Sequence, residues 1–150
     1  MPTKIAAGNW KMNGQQTDIS ELQLISKAAD QLDCRTIICP PTTLLGNATK
    51  FCDEIFIGGQ DCHPKPSGAY TGDISANMLA DMGASYVIVG HSERRTYHGE
   101  NSTIVKAKAE AAIAADLKPI ICVGEKLQQR ESGDAIEAVS LQIKGSIPTN

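Results

Sequence analysis

Short apolar runs rich in isoleucine and valine recur along the chain at Ile5 to Ala7, Thr36 to Cys39, Ile55 to Ile57, Tyr86 to Val89 and Pro119 to Val123. They show little polar alternation, as strands buried on both faces do. Between them the apolar spacing switches to three and four. Ile19, Leu22, Ile25, Ala29 and Leu32 make one helical face, and Asp18 followed by Glu21 predicts its N-cap and capping glutamate. A weaker signal predicts a helix over Leu44 to Lys50. The next helix follows Ser75 through Met78, Leu79 and Met82 and stops at Gly83, the kind of residue that ends a helix in a left-handed conformation. Ile104 to Ala115 is alanine-rich and almost free of breakers. Asp134 to Lys144 places Ile136, Val139 and Ile143 on one face. Five strand-helix units in strict alternation predict an α/β fold with a parallel sheet and right-handed crossovers.

Nothing in the sequence marks an internal domain boundary or a low-complexity segment, so residues 1–150 read as one domain. The one long stretch without periodicity, Gly58 to Ser75, carries several glycines and two prolines and exceeds ordinary connector length, which makes it a candidate functional loop. The size, 150 residues, and the 41% apolar and 21% charged content suit a globular domain. A net charge of −3 offers no basic field for a nucleic-acid backbone. The apolar runs fall far short of the roughly 20 residues that cross a bilayer. Ile5, Ala6 and Ala7 pass at once into Gly8, Asn9 and Trp10, unlike a signal peptide. The expectation is a soluble, cytoplasmic protein with neither nucleic acid nor membrane as partner. Cys34, Cys39, Cys52, Cys62 and Cys122 are odd in number, contain no Cys-x-x-Cys pair and have no histidine at metal-ligand spacing. They read as reduced thiols, with no disulfide framework and no metal site.

In a parallel α/β sheet, ligands sit beyond the carboxyl ends of the strands. Polar groups stand there after the first strand (Gly8-Asn9-Trp10-Lys11-Met12-Asn13-Gly14), the fourth (Gly90-His91-Ser92-Glu93-Arg94-Arg95) and the fifth (Gly124-Glu125-Lys126). Lys11 alone is an ordinary surface lysine, although its place directly off an apolar strand sets it apart. His91 either caps the polar stretch behind it or acts in catalysis, where the dipole of a short helix starting there would disfavour imidazolium. Glu93, Arg94 and Arg95 are a solvated charge cluster, an anion site or a means of orienting Lys11. His63 and His98 have loop-like surroundings. No pair of carboxylates at glycosidase positions, no Gly-x-Ser-x-Gly elbow and no phosphate-binding P-loop is visible.

Four segments in order, Ala7-Gly8-Asn9-Trp10-Lys11-Met12-Asn13, Gly68-Ala69-Tyr70-Thr71-Gly72-Asp73-Ile74-Ser75, Val87 through Arg95 and Ile121-Cys122-Val123-Gly124-Glu125, resemble the triosephosphate isomerases across essentially the whole chain. The resemblance implies a TIM (β/α)8-type barrel that interconverts dihydroxyacetone phosphate and glyceraldehyde 3-phosphate without metal or organic cofactor. It implies that Asn9 and Lys11 bind the phosphorylated triose, with Lys11 countering the phosphate and the enediolate charge. His91 would be a neutral electrophile held so by the helix behind it, and Glu93 the carboxylate that orients Lys11. Gly68 to Ser75 would be a projecting dimer loop with Thr71 reaching the neighbouring subunit. Cys122 and Glu125 match a mainly structural motif.

Eight strand-helix units typically take about 250 residues, and only five are counted here. The expectation is therefore a partial, truncated barrel with open sheet edges at its first and fifth strands. The inward positions Ile5, Ala7, Ile120 and Cys122 would lose neighbours there. The catalytic glutamate, the lid and the glycine-rich phosphate loops implied by the resemblance have no matching motif in the sequence. Negligible isomerase activity and homo-oligomerisation over the open edges are expected. The alternative is a non-catalytic self-associating scaffold or a weak binder of phosphate ligands.

Overall fold

The computed structural model describes residues 3–149. Five parallel strands, β1 (Ile5–Asn9), β2 (Arg35–Cys39), β3 (Phe56–Gly59), β4 (Tyr86–Val89) and β5 (Lys118–Ile121), lie side by side in chain order. Seven helices connect or follow them: α1 (Ile19–Ala29), α2 (Thr42–Phe51), α3 (Ala76–Asp81), α4 (Ser92–Tyr97), α5 (Ser102–Ala114), α6 (Leu127–Glu131) and α7 (Ala135–Ser146). The five main helices fall where spacing and, for α5, alanine content put them, except that α1 ends at Ala29 and leaves Leu32 exposed beyond it. Of the two short ones, α4 is the helix that the polar stretch behind His91 allowed, and α6 behind Glu125 is an addition.

Local chemistry explains the boundaries. The Ser75 hydroxyl accepts the Met78 N–H at 3.2 Å to open α3, and Asn101 Oδ1 accepts the Ile104 N–H at 2.9 Å to open α5. Gly83 takes φ +86° against Thr49, as a glycine ending α3 should. Asp18 departs from expectation. It is the N-cap residue of α1, but its carboxylate accepts the Gln15 N–H at 2.7 Å and closes the preceding 3-10 turn, so Glu21 forms no capping box with it. A side chain with a tight turn behind it bonds backward before it can cap forward.

The sheet separates two cores. Its outer face packs Ile38, Ile57, Val87 and Val89 against Leu22, Leu44, Leu45 and Leu79 and, on α5, Val105, Ala109 and Ala112. The small residues on α5 let that helix lie close to β4 and β5. The concave face holds Ile37, Cys39, Tyr86 and Ile88, flanked by Ile120 and Cys122. No helix covers it.

Both edge strands are open among the described residues. Ile5 is 52% exposed, Ala7 is exposed, and Ile120 and Cys122 are half-buried. Lys118 and Cys122 donate their N–H groups to Ser85 and Val89 carbonyls at 3.0 and 2.9 Å, so the intervening Pro119 faces the free edge. A proline there removes one outward donor and blunts the edge. β1, where the backbone groups of Ile5, Ala7 and Asn9 point away from β2, has no such protection.

Candidate active site

The site is assembled at the carboxyl ends of β1, β3 and β4. Beyond β1 the Asn9 side chain turns back on the main chain, its Oδ1 accepting the Lys11 N–H at 2.8 Å. Lys11 has a left-handed backbone with φ 53°, a conformation that costs an L-residue roughly 1–2 kcal/mol. Gln60, just past β3, offsets that cost: its Nε2 donates to the Lys11 carbonyl at 2.8 Å and to the Cys39 carbonyl at 2.9 Å. Both main-chain polar groups of Lys11 are thus held by side chains. Sequence reasoning passed over Gln60, although the same rule that singled out polar residues after the first, fourth and fifth strands applies after the third.

β4 turns at Gly90, where φ is +69° and a Cβ would come within 2.7 Å of Val105. His91 then becomes the N-cap of α4, its Nδ1 accepting the Glu93 N–H at 3.3 Å. A nitrogen that accepts carries its lone pair, which assigns the ring proton to Nε2. Glu93 Oε1 lies 2.7 Å from Lys11 Nζ, and Oε2 lies 3.5 Å from His91 Nδ1. The hydrogen bond from Lys11 holds the Glu93 carboxyl below the ordinary carboxylate range. Lys11, Glu93 and His91 therefore form one row bridging β1 and β4, two strands that are not neighbours.

His91 also lines a cleft of about 240 Å³ between β4 and β5, with Ser92, Arg95, Cys122 and Glu125. Arg95 ties this cleft together. Its guanidinium donates to the Gly90 carbonyl at 2.8 Å, the Cys122 carbonyl at 3.1 Å and the Ser146 hydroxyl at 3.1 Å, joining β4, β5 and α7. Burial pushes the Cys122 thiol up, away from reactive thiolate. Glu125 accepts from Arg130 Nε at 2.8 Å, outside the row formed by Lys11, Glu93 and His91.

The remaining candidate residues lie elsewhere. Gly58 and Gly59 belong to β3, so the expected loop starts after them; Thr71 is exposed within it and is not part of the ion pairs of the row. That loop is folded on itself: His63 stacks on Tyr70 with ring centroids 4.0 Å apart, and its N–H donates to the Ile74 carbonyl at 2.8 Å. At the base of the loop sits a cluster that the sequence did not reveal. Lys108 Nζ lies 2.7 Å from Asp61 and 2.6 Å from Glu100, while Arg94 Nε lies 2.9 Å and 2.6 Å from the same two carboxylates. It borders a polar cleft of about 250 Å³ shared with Gln60 and Asp73. Among the described residues no group of His, Cys, Asp and Glu side chains is arranged to hold a metal ion, and no helix is long and apolar enough to cross a membrane.

Chemically the row can bind and polarise. The Lys11 ammonium and an imidazole carrying its proton on Nε2 are donors suited to negative charge growing on a substrate oxygen. Among the described residues Glu93 is the one carboxylate in contact with Lys11 or His91, and Lys11 already occupies it.

Comparison with known proteins identifies the family and the fold. The family model for triosephosphate isomerase matches residues 4–150. Triosephosphate isomerase of Ruegeria sp. strain TM1040 is 51% identical over 148 residues, covering 99% of this chain and 60% of that protein. That of Afipia carboxidovorans is 54% identical over 155 residues, covering 99% and 62%. The crystal structure of triosephosphate isomerase from Bartonella henselae superposes with a TM-score of 0.95 at 45% identity, covering 99% of this chain and 63% of that one. The five parallel strands are thus a curled part of a TIM barrel, and the chain spans about three-fifths of the length of the relatives it matches. With the family model matching residues 4–150 and its fold shared with a solved structure of that family, the chain belongs to the triosephosphate isomerase family.

Proposed function

We propose that this chain carries the substrate-holding and carbonyl-polarising part of a triose-phosphate isomerisation site. Asn9 and Lys11 hold the phosphorylated triose, and Lys11 counters the charge of the enediolate. His91 donates from Nε2 to the carbonyl oxygen, and Glu93 orients Lys11. No cofactor takes part. The observation that carries this reading is the 2.7 Å contact between Lys11 and Glu93, which fixes the ammonium from β1 against the helix that His91 caps.

Proton abstraction needs a base that is free to accept. A positioned general base contributes typically about 100-fold to 10,000-fold, and Glu93 is engaged. The 150 residues alone therefore isomerise dihydroxyacetone phosphate negligibly. A coupled assay checks this: turnover at ordinary enzyme rates, abolished by His91→Gln, would show that a group within the chain serves as the base. Calorimetry with a phosphate-bearing inhibitor separates a weak binder, with heat lost in Lys11→Met, from an inert scaffold.

The open edges favour self-association. The unpaired backbone groups of Ile5, Ala7 and Asn9, and the apolar Ile136 and Leu141 left bare on α7, are surfaces that a second copy covers. The chain in solution is a homo-oligomer in a cytoplasmic setting, and Thr71 on its projecting loop reaches the neighbouring copy. Light scattering that found a folded monomer at micromolar concentration would refute the oligomer.

A further inference from the structure

Lys11 is placed by polar contacts and not by packing. It is exposed, and Met12 beside it is 96% exposed. The segment between β1 and α1 reaches the core through Trp10 and through Gly14, which lies against Trp10 and Leu44. Lys11 itself is held at its N–H by Asn9, at its carbonyl by Gln60 and at its ammonium by Glu93. Asn9 and Glu93 already belong to the proposed site. Gln60 stands apart from it: a half-buried residue directly after β3, it hydrogen-bonds neither Glu93 nor His91. Because β3 is an interior strand paired on both sides, this anchor does not rest on the open edges.

The chemistry of the contact is specific. Both partners of Gln60 Nε2 are carbonyls, Lys11 at 2.8 Å and Cys39 at 2.9 Å, so only the nitrogen of the amide can face them. The Cys39 carbonyl also accepts the Trp10 N–H at 3.1 Å. One uncharged nitrogen thus ties the Lys11 backbone to the ends of β2 and β3. Glutamine suits the place because it brings two donors without a charge. Arginine or lysine would set a second cation near the Lys11 ammonium, and asparagine is one methylene shorter. Lys11 has φ 53°, in the left-handed region that L-residues avoid, and among the described residues no other group donates to its carbonyl. Loss of that bond frees the backbone to return to an ordinary conformation, which swings the side chain away from Glu93.

We propose that Gln60 is a positioning residue of the isomerisation site: it holds Lys11 in the backbone conformation that sets the ammonium on Glu93. It thereby controls, without touching either charged group, the cation that meets the phosphorylated triose. The inference rests on the reading of Lys11 as the group that holds that substrate.

Carbon NMR of the Glu93 carboxyl in the 150-residue chain tests this with no substrate present. In the parent, the hydrogen bond from Lys11 holds this carboxyl below the ordinary carboxylate range. In Gln60→Met, which keeps the length of the side chain and removes both donors, Glu93 moves up toward the ordinary range, as it does in Lys11→Met. The double variant titrates as Lys11→Met does alone, because both changes act through one contact. Gln60→Asn shifts Glu93 in the same direction and serves if Gln60→Met fails to fold, with the strand amide resonances reporting the fold. A merely structural Gln60 would lower Tm and leave the Glu93 titration where it is. Glu93 titrating as in the parent in a folded Gln60 variant therefore overturns the proposal, and so does a further rise of Glu93 when Gln60→Met is added to Lys11→Met. This readout is the same whether or not a triose phosphate binds, so its failure is distinct from failure of the isomerase reading, which calorimetry detects.

Discussion

Replacing Lys108 by methionine should be among the most damaging single changes in this fold. Lys108 is 6% exposed, and Glu100 is equally buried. The ammonium sits between Asp61 at 2.7 Å and Glu100 at 2.6 Å, so that with Arg94 two positive charges match two negative ones. Methionine keeps most of the volume and removes the charge, leaving two carboxylates to share one guanidinium. Glu100 Oε2 already lacks a partner. Breaking a buried pair on one side costs about 3–5 kcal/mol, a large part of the roughly 5–15 kcal/mol that holds a domain folded. At about 2–4 °C per kcal/mol for a chain of this size, Tm falls by roughly 6–20 °C.

The pH dependence distinguishes lost charge balance from lost packing. Burial raises the Asp61 carboxyl above its ordinary value despite Lys108, and the neighbouring Glu100 charge adds to the rise. Burial also pushes Glu100 upward, but the hydrogen bonds from Lys108 and Arg94 outweigh it and hold Glu100 low. Without Lys108 both carboxyls move up. The native variant then binds a proton that the unfolded chain does not, so its stability rises as pH falls from neutrality through the raised value. The parent gains less over that range, because Glu100 stays ionised until the pH falls below the ordinary carboxylate range. The difference between parent and Lys108→Met, measured by urea unfolding, should therefore narrow between pH 7 and pH 5. A loss under about 1 kcal/mol, the size of an exposed pair, or a difference that widens at pH 5, would refute the reasoning.

Two further outcomes are expected. Gly58→Ala places a Cβ 2.7 Å from Cys39 Sγ and 3.1 Å from the Tyr86 carbonyl oxygen in the centre of the sheet, so denaturant unfolding should show a loss of about 1–3 kcal/mol from overpacking. Glu93 should titrate below an ordinary carboxylate by carbon NMR, and Lys11→Met should return it toward the usual range. Because its carboxyl is depressed in the folded state, whatever stability the contact confers is present at neutral pH and lost as pH falls through the depressed value.

The elements were legible because their signals are local. Apolar runs rich in isoleucine and valine marked all five strands, and the α5 helix followed from alanine content and the absence of breakers. The positions of Asn9, Lys11, His91 and Glu93 at strand carboxyl ends were legible for the same reason. What could not be read is pairing across the chain. Gln60 reaches Lys11 over 49 positions, and Lys108 reaches Asp61 over 47. No periodicity announces such contacts, since Lys108, like Lys106 beside it in the alanine-rich α5, reads as part of a solvated face. The Asp18 cap failed through competition between two nearby donors that have equal claims in sequence.

The geometry assigns unequal security to the two halves of the site. His91 comes from β4, an interior strand hydrogen-bonded on both sides, and Arg95 ties the Gly90 carbonyl next to it to β5 and α7. Lys11 comes from β1, an edge strand paired on one side only, and its backbone is strained. Its position depends on three side chains: Asn9 on its N–H, Gln60 on its carbonyl and Glu93 on its ammonium. Gln60 also holds the Cys39 carbonyl, which ties the Lys11 loop to the end of β2 as well as β3. Fraying of β1 would release Lys11 before it disturbed His91, because among the described residues no strand pairs with the outer side of β1. The order in which the site comes apart is thus set by sheet topology, and any partner that pairs with the β1 edge would act first on Lys11.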